Sequence, residues 1–198
     1  MVRPRARAGG RHAVDAVRRQ GAVEAAIRDD NPVVFLEKRL LYSRPGPVPE
    51  GEYTVPLGVA DVKREGGDVT VATYAAGVQL SLQAARQLAH DGVEVEVVDL
   101  RTLKPLDAET LVTSVRKTGR LVVVTEAARA GSFASEVVAR VCDEAFGALR
   151  AAPVRVTARD TPIPYSAPLE RAVMPQVDDV VAGVNAALER VAVEGVSA

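Results

Sequence analysis

Three short apolar runs alternate with two helical patterns in the middle of the chain. The runs cover residues 69–74, 93–100 and 121–126. They are rich in β-branched residues and end at glycine or charged residues, which is typical of strands. Between them, apolar positions recur at helical spacing over residues 78–90 and 107–118. Strands and helices that alternate with such short connections predict a parallel sheet covered by helices on both faces.

The two helical patterns also carry signals at their ends. Gly92 and Gly119 follow the last helical residues, where glycine readily supplies the left-handed conformation that ends a helix. Asp107 lies in the first turn of the second pattern and Lys117 in its last turn, which suits the helix dipole. The pattern therefore predicts that these helices end at the two glycines.

The rest of the C-terminal part extends the same architecture. Helices are predicted over residues 132–146 and 176–191, a further parallel strand over 153–157, and an edge strand over 57–65. Phe133 begins the apolar face of the 132–146 helix, and Cys142 is predicted to be buried on it. Pro162, Pro164 and Tyr165 lie on a surface segment that the prolines stiffen.

The N-terminal part has a different composition. Residues 1–19 contain six arginines and one acid, which predicts a disordered basic tail, with an organellar targeting segment as the alternative. Residues 20–28 predict a helix that ends before Pro32, and residues 33–36 a strand. Four prolines in residues 43–56 predict an extended linker. The expected organisation is thus a tail (1–19), a small helix and strand (20–42), a linker (43–56) and an α/β domain (57–193).

Composition limits the function classes. The chain has 198 residues, 47% of them apolar, and a net charge of −1, which suits one soluble α/β domain with some extra length and gives no charge bias toward nucleic acid. The single cysteine excludes an internal disulfide and is expected of a reducing cytoplasm. No apolar run reaches the length of a membrane span, so we expect no membrane association.

Few residues are candidates for chemistry. No phosphate-binding glycine loop follows a predicted strand, and the histidines and serines lack the partners of metal or nucleophile sites. Polar groups do follow the strands, where sheets of this kind bind ligands: Tyr74, Asp99 with Arg101, and Glu126. A metal or phosphoryl site is one interpretation. The other is that Asp99 and Arg101 bond the following loop or each other, and that Glu126 accepts helix amides near Ser132.

An ordered series of segments resembles the β subunit of thiamine-dependent 2-oxo acid dehydrogenases. The most specific is Val98-Asp-Leu-Arg-Thr-Leu-Lys-Pro-Leu-Asp107; the others lie at residues 31–38, 55–58, 68–74, 117–124, 126–127 and 160–164. The resemblance implies a three-layer α/β/α domain like the C-terminal domain of transketolase. Its mixed five-stranded sheet would be mostly parallel, with one antiparallel edge strand.

The resemblance also implies an assembly and a reaction. The dehydrogenase of this family is an α2β2 heterotetramer that uses thiamine diphosphate and magnesium. It decarboxylates a 2-oxo acid oxidatively and transfers the acyl group to lipoyl-lysine. The domain present here would contact the α subunit, a second β subunit and the dihydrolipoyl acyltransferase core, through residues such as Phe133, Pro162, Pro164 and Tyr165.

The family's catalytic and cofactor-binding residues lie in parts that are not matched here. Only residues 20–41 resemble the pyrimidine-binding domain, and Glu37 and Lys38 match a segment near the active-site entrance. We therefore expect no catalytic, cofactor-binding or metal residue on this chain alone. A split or truncated β subunit is the leading interpretation, with an orphan α/β binding or regulatory module and a non-functional fragment as alternatives.

Three residues depart from the family pattern. Thr125 replaces a histidine, while Ala75 and Ser132 replace glycines. Because alanine and serine disfavour positive φ, the two glycine replacements are expected to resist the family's backbone conformation wherever it requires positive φ.

Overall fold

The structure is a computed structural model that describes residues 13–38, 41 and 49–189. The chain divides into two compact units, with the boundary between Gly58 and Val59. Each unit is described separately below.

Among the described residues of the first unit there is one α-helix, α1 (Ala13–Arg28). It begins earlier than the predicted residue 20, and two alanines and two arginines among residues 13–19 are strong helix formers. The predicted disordered tail is therefore wrong for residues 13–19, while residues 1–12 lie outside the described residues. At Gly21 the helix meets the returning chain, since the amide of Val55 donates to the Gly21 carbonyl at 3.0 Å.

The predicted strand over residues 33–36 is wrong. These residues have no regular secondary structure, and Val34 and Leu36 are 83% and 80% exposed. A β-strand needs a neighbouring strand for its backbone hydrogen bonds, and the described part of the first unit provides none. Residues 52–56, which belong to the predicted linker, form neither helix nor strand.

The second unit is an α/β domain with five strands and five α-helices among the described residues. Its elements, in chain order, are β1 (Asp61–Arg64), β2 (Val69–Thr73), α2 (Gly77–His90), β3 (Val95–Asp99), α3 (Ala108–Thr118), β4 (Leu121–Ala128), α4 (Phe133–Ala145), β5 (Val154–Ala158), α5 (Ala167–Val173) and α6 (Val177–Glu189). The strand order is β1-β3-β2-β4-β5. Strands β2 to β5 are parallel and β1 pairs antiparallel with β3, which confirms the predicted mixed, mostly parallel sheet.

Two hydrophobic layers sandwich the sheet. Alternate residues along a strand point to opposite faces. On β2, Val71 packs in the layer that includes α2 and α6, whereas Ala72 packs in the layer that includes α3 and α4. Both residues have no exposed surface. The three-layer α/β/α arrangement inferred from the sequence is thus confirmed.

The helix ends follow the predicted chemistry. Gly92 and Gly119 have φ of 79° and 72°, so both adopt the left-handed conformation expected of them. Asp107 precedes α3 as its N-cap, and its Oδ1 accepts a hydrogen bond from the amide of Thr110 at 3.0 Å. Because a bonded N-cap side chain satisfies a helix amide that would otherwise lack a partner, Asp107 defines the start of α3.

Two features differ from the sequence predictions. Cys142 is half-buried rather than buried, because it lies beside the buried stripe of α4 that includes Val137 and Val141. Helix α5 was not predicted, and none of its residues is buried. None of the helices in the described part of the chain combines the length and the apolar character that a membrane span requires.

Candidate functional site

The carboxyl ends of β2, β3 and β4 meet at one edge of the sheet. In the ladder, Thr73 of β2 is in register with both Asp99 of β3 and Val124 of β4. Strand β2 leads into α2 on one face of the sheet, while β4 leads into α4 on the other. The gap between β2 and β4 is therefore the topological switch point, where sheets of this class bind ligands.

Side chains that contact one another occupy this edge between β2 and β4. The hydroxyl groups of Tyr74 and Thr125 are hydrogen-bonded at 2.7 Å. The Tyr74 ring also meets the Phe133 ring edge-on, with centroids 6.4 Å apart and planes at 80°. Thr125 is 1% exposed and accepts a further hydrogen bond from the amide of Ala127. Two separately predicted candidates, Tyr74 and Phe133, are thus brought together, and Thr125 joins them.

The Asp99 side chain bonds the following loop, as one of the two sequence interpretations proposed, whereas the Arg101 side chain pairs with Asp61. Asp99 Oδ1 accepts a hydrogen bond from the amide of Arg101 at 3.1 Å. The Arg101 guanidinium donates to Asp61 Oδ2 at 2.6 Å, and Lys63 also contacts this carboxylate. Burial acts to raise the pKa of Asp61, but hydrogen bonds and charges from Lys63 and Arg101 outweigh it, so this pKa lies below its ordinary value.

The departures from the family pattern have different structural consequences. Ala75 has a φ of 52°, so this residue adopts the positive φ that an alanine disfavours. Ser132 has a φ of −79° in an extended conformation, so the expected resistance to positive φ does not apply to it. Ser132 is 8% exposed, and its Oγ has no hydrogen-bond partner among the described residues.

The other predicted residues are Glu126 in the second unit and Glu37 and Lys38 in the first. Glu126 is half-buried in β4 immediately after Thr125. In the first unit, Glu37 is exposed and Lys38 is half-buried, and both belong to a segment without regular secondary structure. Sequence reasoning therefore located the strand ends, but it did not predict which side chains would bond there.

A second polar cluster, at the opposite edge of the sheet, was not predicted. Glu96 of β3 is 1% exposed, and its carboxylate accepts hydrogen bonds from Ser114 and Lys117. Thr70 bonds both Ser114 and Thr118 at 2.8 Å. Hydrogen bonds from Lys117 to Glu65 and to Glu96 raise the pKa of Lys117 above its ordinary value, although burial acts in the opposite direction. The sequence signal that could have revealed this cluster was the pair Ser114 and Thr118, two polar residues four positions apart on α3.

An exposed apolar segment follows β5. Tyr165 is fully exposed and Pro162 is exposed, whereas Pro164 is half-buried. Ile163 and Leu169 are 59% and 58% exposed. Large apolar side chains grouped in this way on a surface are typical of sites that contact another molecule.

The described residues do not fit the metal and diphosphate of a thiamine cofactor. Among them, no group of three or more histidine, cysteine, aspartate or glutamate side chains is placed to hold a metal ion. Asp99 and Arg101 are engaged with the local backbone and with Asp61. The carboxyl edge therefore has the architecture of a ligand site, but its polar groups bond within the domain.

Fold and site together define a three-layer α/β/α domain in which polar side chains at the carboxyl edge of the sheet bond one another. Residues 58–180 match the family described as the transketolase C-terminal domain. The chain belongs to this family.

Two β subunits of known description are similar to this chain. The chain is 48% identical over 171 residues to the pyruvate dehydrogenase E1 component subunit beta of Bacillus subtilis, covering 86% of this chain and 52% of that protein. It is 45% identical over 166 residues to the acetoin:2,6-dichlorophenolindophenol oxidoreductase subunit beta of Cupriavidus necator, covering 84% of this chain and 49% of that protein. The chain thus spans about half the length of these relatives, and the resemblance to β subunits is confirmed over that part.

A solved structure shares the fold. It is described as "Split gene transketolase, inactive beta4 tetramer", is 33% identical in sequence and superposes with a TM-score of 0.62. The match covers 75% of this chain and 49% of that chain.

Proposed function

We propose that this chain supplies the C-terminal domain of the β subunit of a thiamine-dependent 2-oxo acid dehydrogenase. Its role is to support subunit assembly and docking to the dihydrolipoyl acyltransferase core, where the acyl group is transferred to lipoyl-lysine. The observation that carries the proposal is the 48% identity to a pyruvate dehydrogenase β subunit over 171 residues. The internally bonded carboxyl edge supports a structural rather than a catalytic role for this domain.

The exposed segment after β5 is the surface that we assign to assembly. It presents Ile163, Tyr165 and Leu169 to solvent, and α5 has no buried residue. Exposing this apolar surface in an isolated chain is unfavourable, and contact with another subunit removes it from water. The partners that we propose are the α subunit, a second β subunit and the acyltransferase core, in the cytoplasm.

Thiamine diphosphate and magnesium belong, in this proposal, to the assembled enzyme. The described residues offer no metal-binding group. The cofactor would therefore be held by the α subunit and the pyrimidine-binding part of the β subunit. The isolated chain is expected to bind no thiamine diphosphate, and calorimetric titration with magnesium present tests this. Binding at micromolar concentration would contradict the prediction.

Affinity purification from the native host tests the proposed assembly. The chain is tagged at its own locus, and mass spectrometry is expected to identify an α subunit, a pyrimidine-binding polypeptide or segment, and an acyltransferase. The purified assembly should decarboxylate a 2-oxo acid only when thiamine diphosphate is present. A chain that purifies as a homo-oligomer without this activity would support the alternative, an orphan α/β binding or regulatory module.

Two substitutions connect this experiment to the structure. Tyr165→Asp places a charge on the proposed surface and is expected to reduce recovery of the partners. Phe146→Asp is the matched control, because Phe146 is also an exposed aromatic residue, at 72%, but lies outside the segment. Equal recovery of partners with both variants would refute the assignment of this surface.

A further inference from the structure

The most family-specific sequence block bonds the first residues of the second unit. Within residues 98–107, Asp107 Oδ2 accepts a hydrogen bond from the amide of Ala60 at 2.8 Å. Arg101 donates to Asp61 Oδ2 at 2.6 Å. Asp99 is the register partner of Asp61 across the β1–β3 ladder and fixes Arg101 through its amide. Two consecutive residues, Ala60 and Asp61, are therefore held by the side chains of Asp107 and Arg101, and the Asp99 side chain positions Arg101.

Strand β1 has a backbone ladder on one side only, so side-chain contacts at both of its ends support it. Arg64 donates to the Val95 carbonyl at 2.6 Å at its far end, and Arg101 and Asp107 hold its start. The strand lies at the edge of the sheet and has one strand neighbour, β3, with an irregular register between Val62 and Arg64. An edge strand of four residues lacks the second ladder that holds a central strand. Side-chain contacts at its two ends therefore contribute a large share of its stability.

The contacts around Asp61 also bury charged groups. The Lys63 side chain is 4% exposed, and Asp61 contacts its ammonium group. Arg101 adopts a φ of 58°, and its buried Nε has no hydrogen-bond partner among the described residues. Burying a charge costs free energy that the ion pair offsets only while its geometry is intact. Losing one partner of the ion pairs therefore weakens the contacts of the other partners. This coupling favours a two-state transition, in which the contacts form and break together.

We propose that Asp61, Lys63, Asp99, Arg101 and Asp107 form a junction latch that opens and closes as one unit. When it opens, β1 leaves the sheet edge while the parallel strands β2 to β5 stay folded. The latch thus controls whether the residues at the start of β1 are fixed to the sheet edge or released from it.

Amide hydrogen exchange in the full chain, followed by NMR, distinguishes a cooperative latch from independent contacts. The reporter is the amide of Ala60, which bonds Asp107 and not Arg101. Arg101→Asn removes the guanidinium but tolerates positive φ. If the latch is cooperative, the Ala60 amide should exchange at least about 10-fold faster in this variant, whereas amides of β2 and β4 should change less than about 2-fold.

A second variant removes the other cation of the latch, and a third is the control. Lys63→Met removes the ammonium group that contacts Asp61 and keeps an apolar stem, so the Ala60 amide should also exchange faster than in the wild type. Glu94→Gln breaks the exposed pair between Glu94 and Arg64 at the other end of β1 and should leave Ala60 unchanged. The proposal is overturned if Arg101→Asn leaves the exchange of Ala60 unchanged. It is equally overturned if the amides of β2 and β4 accelerate as much as Ala60.

Discussion

Removing the charge of Lys117 should destabilise the second unit measurably. The Glu96 side chain is 2% exposed and Lys117 is the cation that contacts it. Lys117→Met keeps an apolar stem of similar length and leaves the buried carboxylate with Ser114 and the distant amide of Gly66, 3.4 Å away. Ser114 and the Gly66 amide are neutral, and Glu65, which also pairs with Lys117, is itself acidic, so the buried charge loses its compensation.

The magnitude follows from the burial of the two partners. Breaking a fully buried ion pair by removing one partner costs about 3–5 kcal/mol. The Lys117 side chain is 45% exposed, so water already screens part of this interaction. We therefore expect the free energy of unfolding to fall by about 1–3 kcal/mol at pH 7, which corresponds to a decrease in Tm of about 3–10 °C for a domain of this size.

Urea denaturation followed by circular dichroism measures this change. Arg116→Met is the matched control, because Arg116 also lies near the end of α3 but its guanidinium bonds a surface carbonyl, that of Glu144. The control should stay within about 0.5 kcal/mol of the wild type. In Glu96→Gln/Lys117→Met the uncompensated charge is gone, so most of the lost stability should return.

The pH dependence gives an independent check on Lys117. Its pKa is raised in the folded protein above the ordinary value of 10.5. The stabilisation by Lys117 is therefore fully present below the unfolded pKa and is lost as pH rises through the folded pKa. The difference between wild type and Lys117→Met should shrink as pH rises from 10 to 11 and beyond. A difference below about 0.5 kcal/mol at pH 7, or a double variant no more stable than Lys117→Met, would refute the reasoning.

Three further predictions use the same unfolding assay. Ala75→Gly should stabilise the domain by about 0.5–1 kcal/mol, because glycine relieves the strain of a φ of 52° at some cost in unfolded-state entropy. Ala76→Gly is the control, since Ala76 has a φ of −68°, and it should destabilise the domain. Stabilisation by both variants would contradict this reasoning. Asp107→Ala should cost about 1–2 kcal/mol because the α3 N-cap and the partner of the Ala60 amide are lost together, and a cost near zero would contradict the capping role. Burial acts to raise the pKa values of Asp61 and Asp107, but their hydrogen bonds outweigh it and lower both values. The stability that these carboxylates contribute is therefore present above the ordinary pKa of 3.8 and should be lost as pH falls through the folded pKa values. Asp61→Asn should reduce this loss of stability at acid pH, and an unchanged loss would contradict the assignment.

Hydrophobic periodicity was sufficient to predict the layered domain because its signals are local. Each central strand is a β-branched run, and each covering helix has an apolar stripe that ends at a recognisable residue such as Gly119. The same reasoning failed at residues 33–36, where an apolar run has no strand beside it. It also missed α5, whose seven residues are all at least partly exposed and so show no buried stripe.

The candidate site was only partly predictable because its contacts are distant in sequence. The rule that ligand sites lie at strand ends located Tyr74, Asp99 and Arg101. Their partners are Thr125 and Asp61, which lie 51 and 40 residues away from Tyr74 and Arg101 respectively. Thr125 stands out in the sequence only as a departure from the family pattern, and its hydrogen bond to Tyr74 gives that departure a structural role.

Residues that characterise the family need not take part in its reaction. Arg101 and Asp107 belong to the most specific block, yet their side chains bond Asp61 and the amide of Ala60 within the same domain. Substitutions in this block should therefore alter the opening of β1 and the stability of the domain before they alter any chemical step. In an assembled enzyme, Arg101→Asn should lower the amount of intact assembly while leaving turnover per assembled enzyme close to that of the wild type. A loss of turnover at unchanged assembly would instead place Arg101 in the chemistry.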